Sequence, residues 1–421
     1  MSTRAIIVVS ALALTAVGCS GQEEAGSPDA NWAGTVTTEG SVTTVVNESG
    51  SVWGGKGRLV EVSAIGVEAG PDEYMLGYIN SMFANDERIV LLDEQADTVR
   101  VYDRAGRFLF DVGAQGQGPG EFTTPMILTM DAAGRIYVLD MAARRLSEFD
   151  PAGDFVTSLQ IMDFGCCAWN MMPQPGGLLS VPIEEFNRET RESRHGVQLY
   201  SMEGAAGEPL WVPDIQFERA TMTFDGREVS TPFSPRVYWY PTPDGGIIAG
   251  ASNRYRLEVL RPDGSRLVVH HHAQPAPVDP DEWEWNREYR VAIYRQRQEG
   301  FTWDGAEMPR HHPAFTSMSA AHSGEIWVGR TIGSKRVPDC SENPLEDYAG
   351  ELSIERCFEQ IYTIDVFGAD GRFLGEVEIP DDMSPYGLWI DGATVISGFN
   401  EDELGVVRVK TFHLEPPGGG S

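Results

Sequence analysis

Few residues in this 421-residue chain have types and spacings that could do chemistry. His270, His271 and His272 close an apolar run, and His311 and His312 stand before Pro313. A metal site needs imidazoles that converge. Along a strand, successive side chains alternate, so the middle ring of His270–His272 faces away from its neighbours. The three therefore read as solvated edge residues rather than ligands. His311 and His312 precede a strand, where a loop enters, and are candidate ligand-binding residues through the donor and acid–base properties of imidazole. No Gly-x-Ser-x-Gly elbow and no His-Glu-x-x-His helix is present, so no catalytic residue and no metal ligand set is assigned. The glycines of 113–120 could suggest a phosphate cradle. No Lys-Ser/Thr and no helix follows them, and a connection between strands accounts for them.

The five cysteines are grouped. Arg4 followed by the largely apolar run 5–17 reads as a signal peptide, because a run of thirteen residues is too short to span a bilayer. The run ends Ala16-Val17-Gly18-Cys19, which resembles a bacterial lipobox, with Ala16 where that pattern prefers Leu. The resemblance implies lipidation of Cys19, anchoring through the N-terminal lipid, and a place in the cell envelope (the outer membrane in a two-membrane cell). An oxidising compartment permits a disulfide between Cys340 and Cys357, which flank a polar segment. The neighbours Cys166 and Cys167 read as two thiols.

Sixty-three acidic residues oppose 32 basic ones, for a net charge of −31. Such a surface repels phosphate backbones, which excludes nucleic acid as a partner. A monomer is expected, with a protein, glycan or small-molecule ligand on one face.

The elements that would position any site come from a repeat. A turn followed by an apolar strand recurs at Gly134, Gly176-Gly177, Gly245-Gly246, Gly324 and Gly392, and without glycine at Glu87-Arg88, which makes six. A second turn follows in most repeats, at Gly106, Gly153, Gly204, Gly264 and Gly371. Two hairpin turns per repeat give a four-stranded antiparallel sheet. Such sheets bury both faces when arranged radially, so the expectation is all-β, a six-bladed β-propeller with one helical insertion. The last repeat runs out after 406–412. The alternating segment 58–65 could supply its missing outer strand and close the ring. The expected organisation is a signal peptide at 1–18, a flexible tether at 19–57 with a short strand at 41–47, a propeller at 58–415 and a disordered tail at 416–421.

The run from Gly113 to Pro125, GAQGQGPGEFTTP, resembles the inter-blade linker of NHL repeats. The close match covers about two blades, and the chain as a whole is similar to bacterial six-bladed propeller lipoproteins with NHL-like repeats. That resemblance implies the fold and leaves function open, since propellers host unrelated activities. The favoured reading is a binding or scaffold module with no cofactor. The alternative is a metal-dependent lactonase- or lyase-like enzyme, whose divalent metal would sit in the central channel. The inner strands carry Asn80, Asp131, Asn170, Trp239, Tyr240 and Trp389, a set more aromatic than a metal cage.

The insertion 278–309 has complete helix signals. Asp279 is a good N-cap, Pro280 fits the first position, acidic residues follow, arginines come late, and Gly300 can end it. Trp285, Tyr289 and Ile293 form a stripe that must pack on something. Laid over one end of the channel beside His311 and His312, the helix would be either a plug or a cover whose Trp285 and Tyr289 stack on a ligand.

Lipidation gives the first prediction. Metabolic labelling with palmitate is expected to be lost in Cys19→Ala, and labelling that persists would exclude this anchor.

Overall fold

The computed structural model describes residues 31–161, 170–189, 192–337, 357–380, 383–401 and 405–417. The signal peptide, Cys19, Cys166, Cys167, Cys340 and residues 418–421 lie outside them.

The chain folds as a six-bladed β-propeller of four-stranded blades. Blade 1 consists of Ile79–Ala84, Arg88–Asp93, Thr98–Asp103 and Phe108–Val112. Blade 2 follows with Pro125–Met130, Ile136–Asp140, Arg145–Phe149 and Phe155–Gln160, and blade 3 with Met172–Gln174, Leu178–Asn187, Glu192–Ser201 and Gly204–Trp211. Blade 4 holds Val237–Pro241, Ile247–Ala251, Arg256–Leu260 and Arg266–His271. Blade 5 holds Ser317–Ala320, Ile326–Arg336, Phe358–Phe367 and Phe373–Glu378. Blade 6 takes Leu388–Asp391, Thr394–Glu401 and Val407–Glu415 from the C-terminal region, and its outer strand is Gly57–Ile65.

Blade strands alternate in direction. The first and third turns of every blade therefore share one end of the ring, the turn face. The second turns and the inter-blade connections share the other, the connection face. Turn geometry is local. Asp131 accepts from Ala133 N and Arg135 N at 3.0 Å each, and Gly134 completes the turn. Asp103 and Asp150 do the same before Gly106 and Gly153. Glycine serves twice at Gly153. Its φ is 92°, and a Cβ there would stand 2.9 Å from the ring of Phe110 on the preceding blade. This outer-turn contact lets blade 2 tuck against blade 1, and Gly106 and Gly371 make the same approach to Ile65 and to Val269.

The core lies between blades. One buried cluster joins Ile89, Leu91, Val99 and Tyr102 of blade 1 to Leu128, Ile136 and Phe149 of blade 2, and to Trp389 and Ile396 of blade 6. The linker 113–124 is held by its own residues. Phe122 is fully buried against Phe149, and Gly118 N donates to Glu121 Oε2 at 2.7 Å. That carboxylate occupies the glycine amide, so the linker offers no phosphate cradle.

The tether expectation is corrected between 31 and 57. Trp32–Glu39 and Val42–Gly50 form a hairpin, and the second strand pairs in parallel with Arg266–His271, the outer edge of blade 4. Alternating β-branched residues make this possible. Val45 is fully buried beside Leu267, Val269 and Phe373. Asn47 fixes the register: its Nδ2 donates to Gly371 O at 3.0 Å, and its Oδ1 accepts from Phe373 N at 2.8 Å. Residues 51–56 then cross the rim of blade 5, where Trp53 N donates to Leu374 O at 2.8 Å.

Blades 4 and 5 share a buried polar network. Arg330 donates to both oxygens of Asp365, at 2.6 and 3.0 Å, and to Glu376 at 2.8 Å, while the Tyr255 hydroxyl donates to Asp365 at 2.7 Å. Burial pushes the Asp365 carboxyl up, and Arg330 opposes that shift. His271 packs here against Tyr255, Phe367 and Phe373. It is therefore not a solvated edge residue. Alternation turns it into the sheet interface, where burial lowers it to about 4. His272 is exposed.

Ring closure can be tested within one sheet. Phe412 is 1% exposed on the third strand of blade 6, and Val62 is 66% exposed on its partner strand. Phe412→Ala is expected to cost about 3–5 kcal/mol. Val62→Ala should stay within about 0.5 kcal/mol. Urea unfolding of both variants measures the difference, and equal effects would contradict closure through this buried face.

Candidate functional site

The central channel is built by the inner strands, whose first residues lie at the connection face. Five blades line it among the described residues. Blade 1 gives Tyr78, Asn80, Ser81 and Met82, and blade 4 gives Tyr238, Trp239 and Tyr240. Blade 5 gives Thr316 to Ala320 with His322, and blade 6 gives Pro385 to Ile390. Asn170 and His195 come from blade 3. No described residue of blade 2 lines it; its inner strand bonds to blade 1, where Leu128 N donates to Ser81 Oγ at 3.1 Å. The cavity measures about 640 Å³, within the range of small-molecule sites.

Its rings are arranged in layers. Tyr78 and Tyr386 are 53% and 41% exposed at the mouth. Below them Trp239 stacks on His195, with centroids 6.0 Å apart and planes at 25°. Asn170 donates to the Tyr240 hydroxyl, which Ser319 also bonds. Burial pushes the Tyr240 phenol up to about 12, so it stays neutral. The floor is an aromatic cluster. His322 meets Phe83 edge-on at 4.7 Å and Trp389 at 5.4 Å. Burial drives the His322 imidazole down to about 4, so it too is neutral. His322 and Trp389 also line a second cavity of about 480 Å³ on the turn face, beside Asp86, Asp131 and Asp391. The two rings form the partition.

No Asp, Glu, Lys or Arg is among the described residues that line the main cavity. Among the described residues no group of three or more His, Cys, Asp and Glu is placed to hold a metal ion.

Of the six inner-strand residues singled out from sequence, five meet here: Asn80, Asn170, Trp239, Tyr240 and Trp389. Asp131 does not. It caps the first turn of blade 2 and pairs with Arg135 at 2.7 Å. Sequence reasoning missed Tyr78, His195, Tyr238, His322 and Tyr386. Tyr238 adjoins Trp239 and Tyr386 stands three residues before Trp389, so the aromatic content of those inner strands could have marked them. His195 arrives from the long hairpin of blade 3, which has no such marker.

The helix is Pro280–Arg297 with Asp279 as its cap: Oδ1 accepts from Asp281 N at 2.8 Å. Its stripe does not reach the channel lining. Trp285 and Tyr289 are 8% and 2% exposed and stack on each other at 4.7 Å. They pack with Met222 of the hairpin Thr221–Phe224/Arg227–Ser230, with Phe301 just past the helix, and with Cys357 and Phe358 at the outer end of the described blade 5 hairpin. The expected position across the channel is therefore corrected. Insertions on the connection face supply the apolar partner, because they are the surfaces free of blade contacts. His312 does lie beside the helix. It is 4% exposed, with Nε2 3.7 Å from Glu282 Oε2, and Glu282 accepts from Ser334 Oγ and Gln360 Nε2 at 2.6 Å each. Burial lowers the His312 pKa, and Glu282 opposes this. His311 is exposed and bridges to Pro277.

Residues 40–200 match the family DUF5128, described as a 6-bladed beta-propeller. Among solved structures, a member of the duf4221 family from Bacteroides vulgatus is similar over 86% of this chain and 99% of its own, at 12% identity and a TM-score of 0.53. A protein from Bacteroides fragilis covers 83% and 94%, at 10% identity and a TM-score of 0.45. A gluconolactonase from Xanthomonas campestris covers 85% and 99%, at 12% identity and a TM-score of 0.37. Among curated proteins, none matches. The first of these likenesses supports the fold and nothing beyond it.

Replacing Trp285 and Tyr289 by Ala is expected to lower stability, by about 3–5 kcal/mol for each ring, and to leave binding of any ligand in the channel unchanged. Thermal unfolding and titration of the double variant check both halves. Weakened channel binding in a folded variant would restore the cover role.

Proposed function

We propose that the chain is a binding propeller of the cell envelope, held by lipid on Cys19, and that its central channel receives an uncharged ligand. The observation that carries the reading is the lining. A protein of net charge −31 keeps every described Asp, Glu, Lys and Arg out of a 640 Å³ cavity lined by Tyr78, Tyr238, Trp239, Tyr240, Tyr386 and Trp389. An anion entering that cavity would lose hydration and find no opposite charge, and a cation would find ring faces but no described carboxylate to neutralise it. A neutral ligand loses little and gains aromatic contact. The NHL-like character of the linker belongs to this reading as a family resemblance.

The alternative, a metal-dependent lactonase- or lyase-like enzyme, needs converging ligands in the channel. The described lining offers two imidazoles, His195 and His322, from opposite ends of the cavity, and no carboxylate. It therefore lacks the hard oxygen donors that a Ca²⁺ or Mg²⁺ site is built from.

Metal analysis of protein purified without chelator separates the two. The binding reading expects no stoichiometric divalent ion. One ion per chain, lost together with any hydrolytic or eliminating activity on chelation, would overturn it.

A further inference from the structure

The channel has two kinds of surface that a single ligand class satisfies together. The first is a set of ring faces at several depths, from Tyr386 at the mouth through Trp239 to Trp389 at the floor. The second is a set of polar groups with poor partners or none. Asn80 Nδ2 donates only to the thioether of Met126, at 3.3 Å, and a thioether is a weak acceptor. The Trp389 indole Nε1 is buried without a partner among the described residues. The His322 ring makes aromatic contacts on two sides, and as a neutral imidazole it can donate from one nitrogen and accept at the other. Buried polar groups in a folded protein are ordinarily paired. Trp389 is 7% exposed, while Asn80 and His322 are half-buried at the cavity wall, so a guest that fills the cavity would cover all three and has to pair them.

We propose that the channel binds a neutral oligosaccharide. This rests on the reading of the channel as a site for an uncharged ligand, and names that ligand's class. A sugar ring presents C–H groups polarised positive by neighbouring oxygens, and these pack on the negative face of Trp or Tyr. Its hydroxyls donate and accept at the ring edge, where Asn80, Asn170, Ser317 and Ser319 stand. A purely apolar guest would leave the Asn80 amide and the Trp389 N–H unpaired, which penalises it. Uronates and sulfated sugars are disfavoured, because no Arg or Lys is among the described lining residues and the surrounding protein is acidic. The cavity has room for more than one sugar ring, and the exposed Tyr78 and Tyr386 extend it past the mouth. A chain ligand therefore fits better than a monosaccharide.

The test is titration calorimetry of the folded protein with neutral gluco-, xylo-, manno- and chito-oligosaccharides, beside the uncharged apolar probe N-phenyl-1-naphthylamine. Saturable one-site binding of at least one oligosaccharide is expected, insensitive to salt. Trp239→Ala should weaken it by about tenfold or more. Trp389→Phe keeps a ring and removes the N–H, and should weaken it by about three- to tenfold. Circular dichroism and melting of the variants check that each is folded. Should a variant not fold, competition between the oligosaccharide and the apolar probe on the unaltered protein locates the binding instead, with displacement expected. Binding of the apolar probe with no oligosaccharide bound would overturn the glycan proposal and keep the uncharged-ligand channel. Binding of neither would overturn both. Oligosaccharide binding that neither variant weakens, or that leaves the probe in place, would put the sugar elsewhere and also overturn the proposal.

Discussion

The antiparallel pairing of Gly57–Ile65 with Val407–Glu415 holds the ring shut. Arg58 lies opposite Glu415 and Ile65 opposite Val409, so residues more than three hundred positions apart complete blade 6. Closing so long a chain costs entropy that grows only slowly with length. The pairing recovers it by burying Leu59, Phe412 and Leu414 against blade 5. The same strand touches blade 5 at Val377 and Gly57, and the hairpin before it covers the edge of blade 4. The N-terminal segment is therefore a belt around three blades. With it released, blade 6 would have three strands and an open edge, and the channel would have no fixed width.

A fixed width gives the channel its chemistry. Inner strands that cannot slide hold rings from separate blades at set distances, and the partition of His322 and Trp389, backed by Phe83, closes the floor. Electrostatics follows from the same packing. Most charges lie on turns and outer rims, where water screens them, and buried ones such as Asp93 are paired, here with Arg100 at 3.3 Å. The charged network of Arg330, Asp365 and Glu376 lies between blades 4 and 5, and its members satisfy one another. The described channel lining carries no Asp, Glu, Lys or Arg, and burial holds the His322 imidazole at about 4.

The connection face has grown a second layer. Two insertions between blades and the long blade 5 hairpin bury Trp285, Tyr289, Tyr294 and Phe301 among themselves. Glu282 ties that layer to blade 5 through Ser334 and Gln360, with His312 beside it. The layer is a packed structure in its own right. None of its described residues contributes to the described lining.

The blade count, the turn positions, the helix Pro280–Arg297 and the closure by 58–65 were all legible in the residues. Each is written locally, as an Asp-to-Gly turn, an N-cap or an alternation of apolar residues, and local signals survive without knowledge of neighbours. The hairpin at 32–50 was misread as tether because its Ser, Thr and Gly content is that of a linker. Val45 and Asn47 acquire meaning only against the edge of blade 4. Half of the channel was legible through the aromatic inner strands. His195 and His322 were not, because one arrives from a hairpin tip and the other from a turn, with no shared spacing. What the sequence determined by itself was the repeating unit, since hairpins are decided by contacts a few residues apart. What only the tertiary structure decided was which side chains converge, since residues as far apart as Asn80 and Trp389 become neighbours only when the ring is closed.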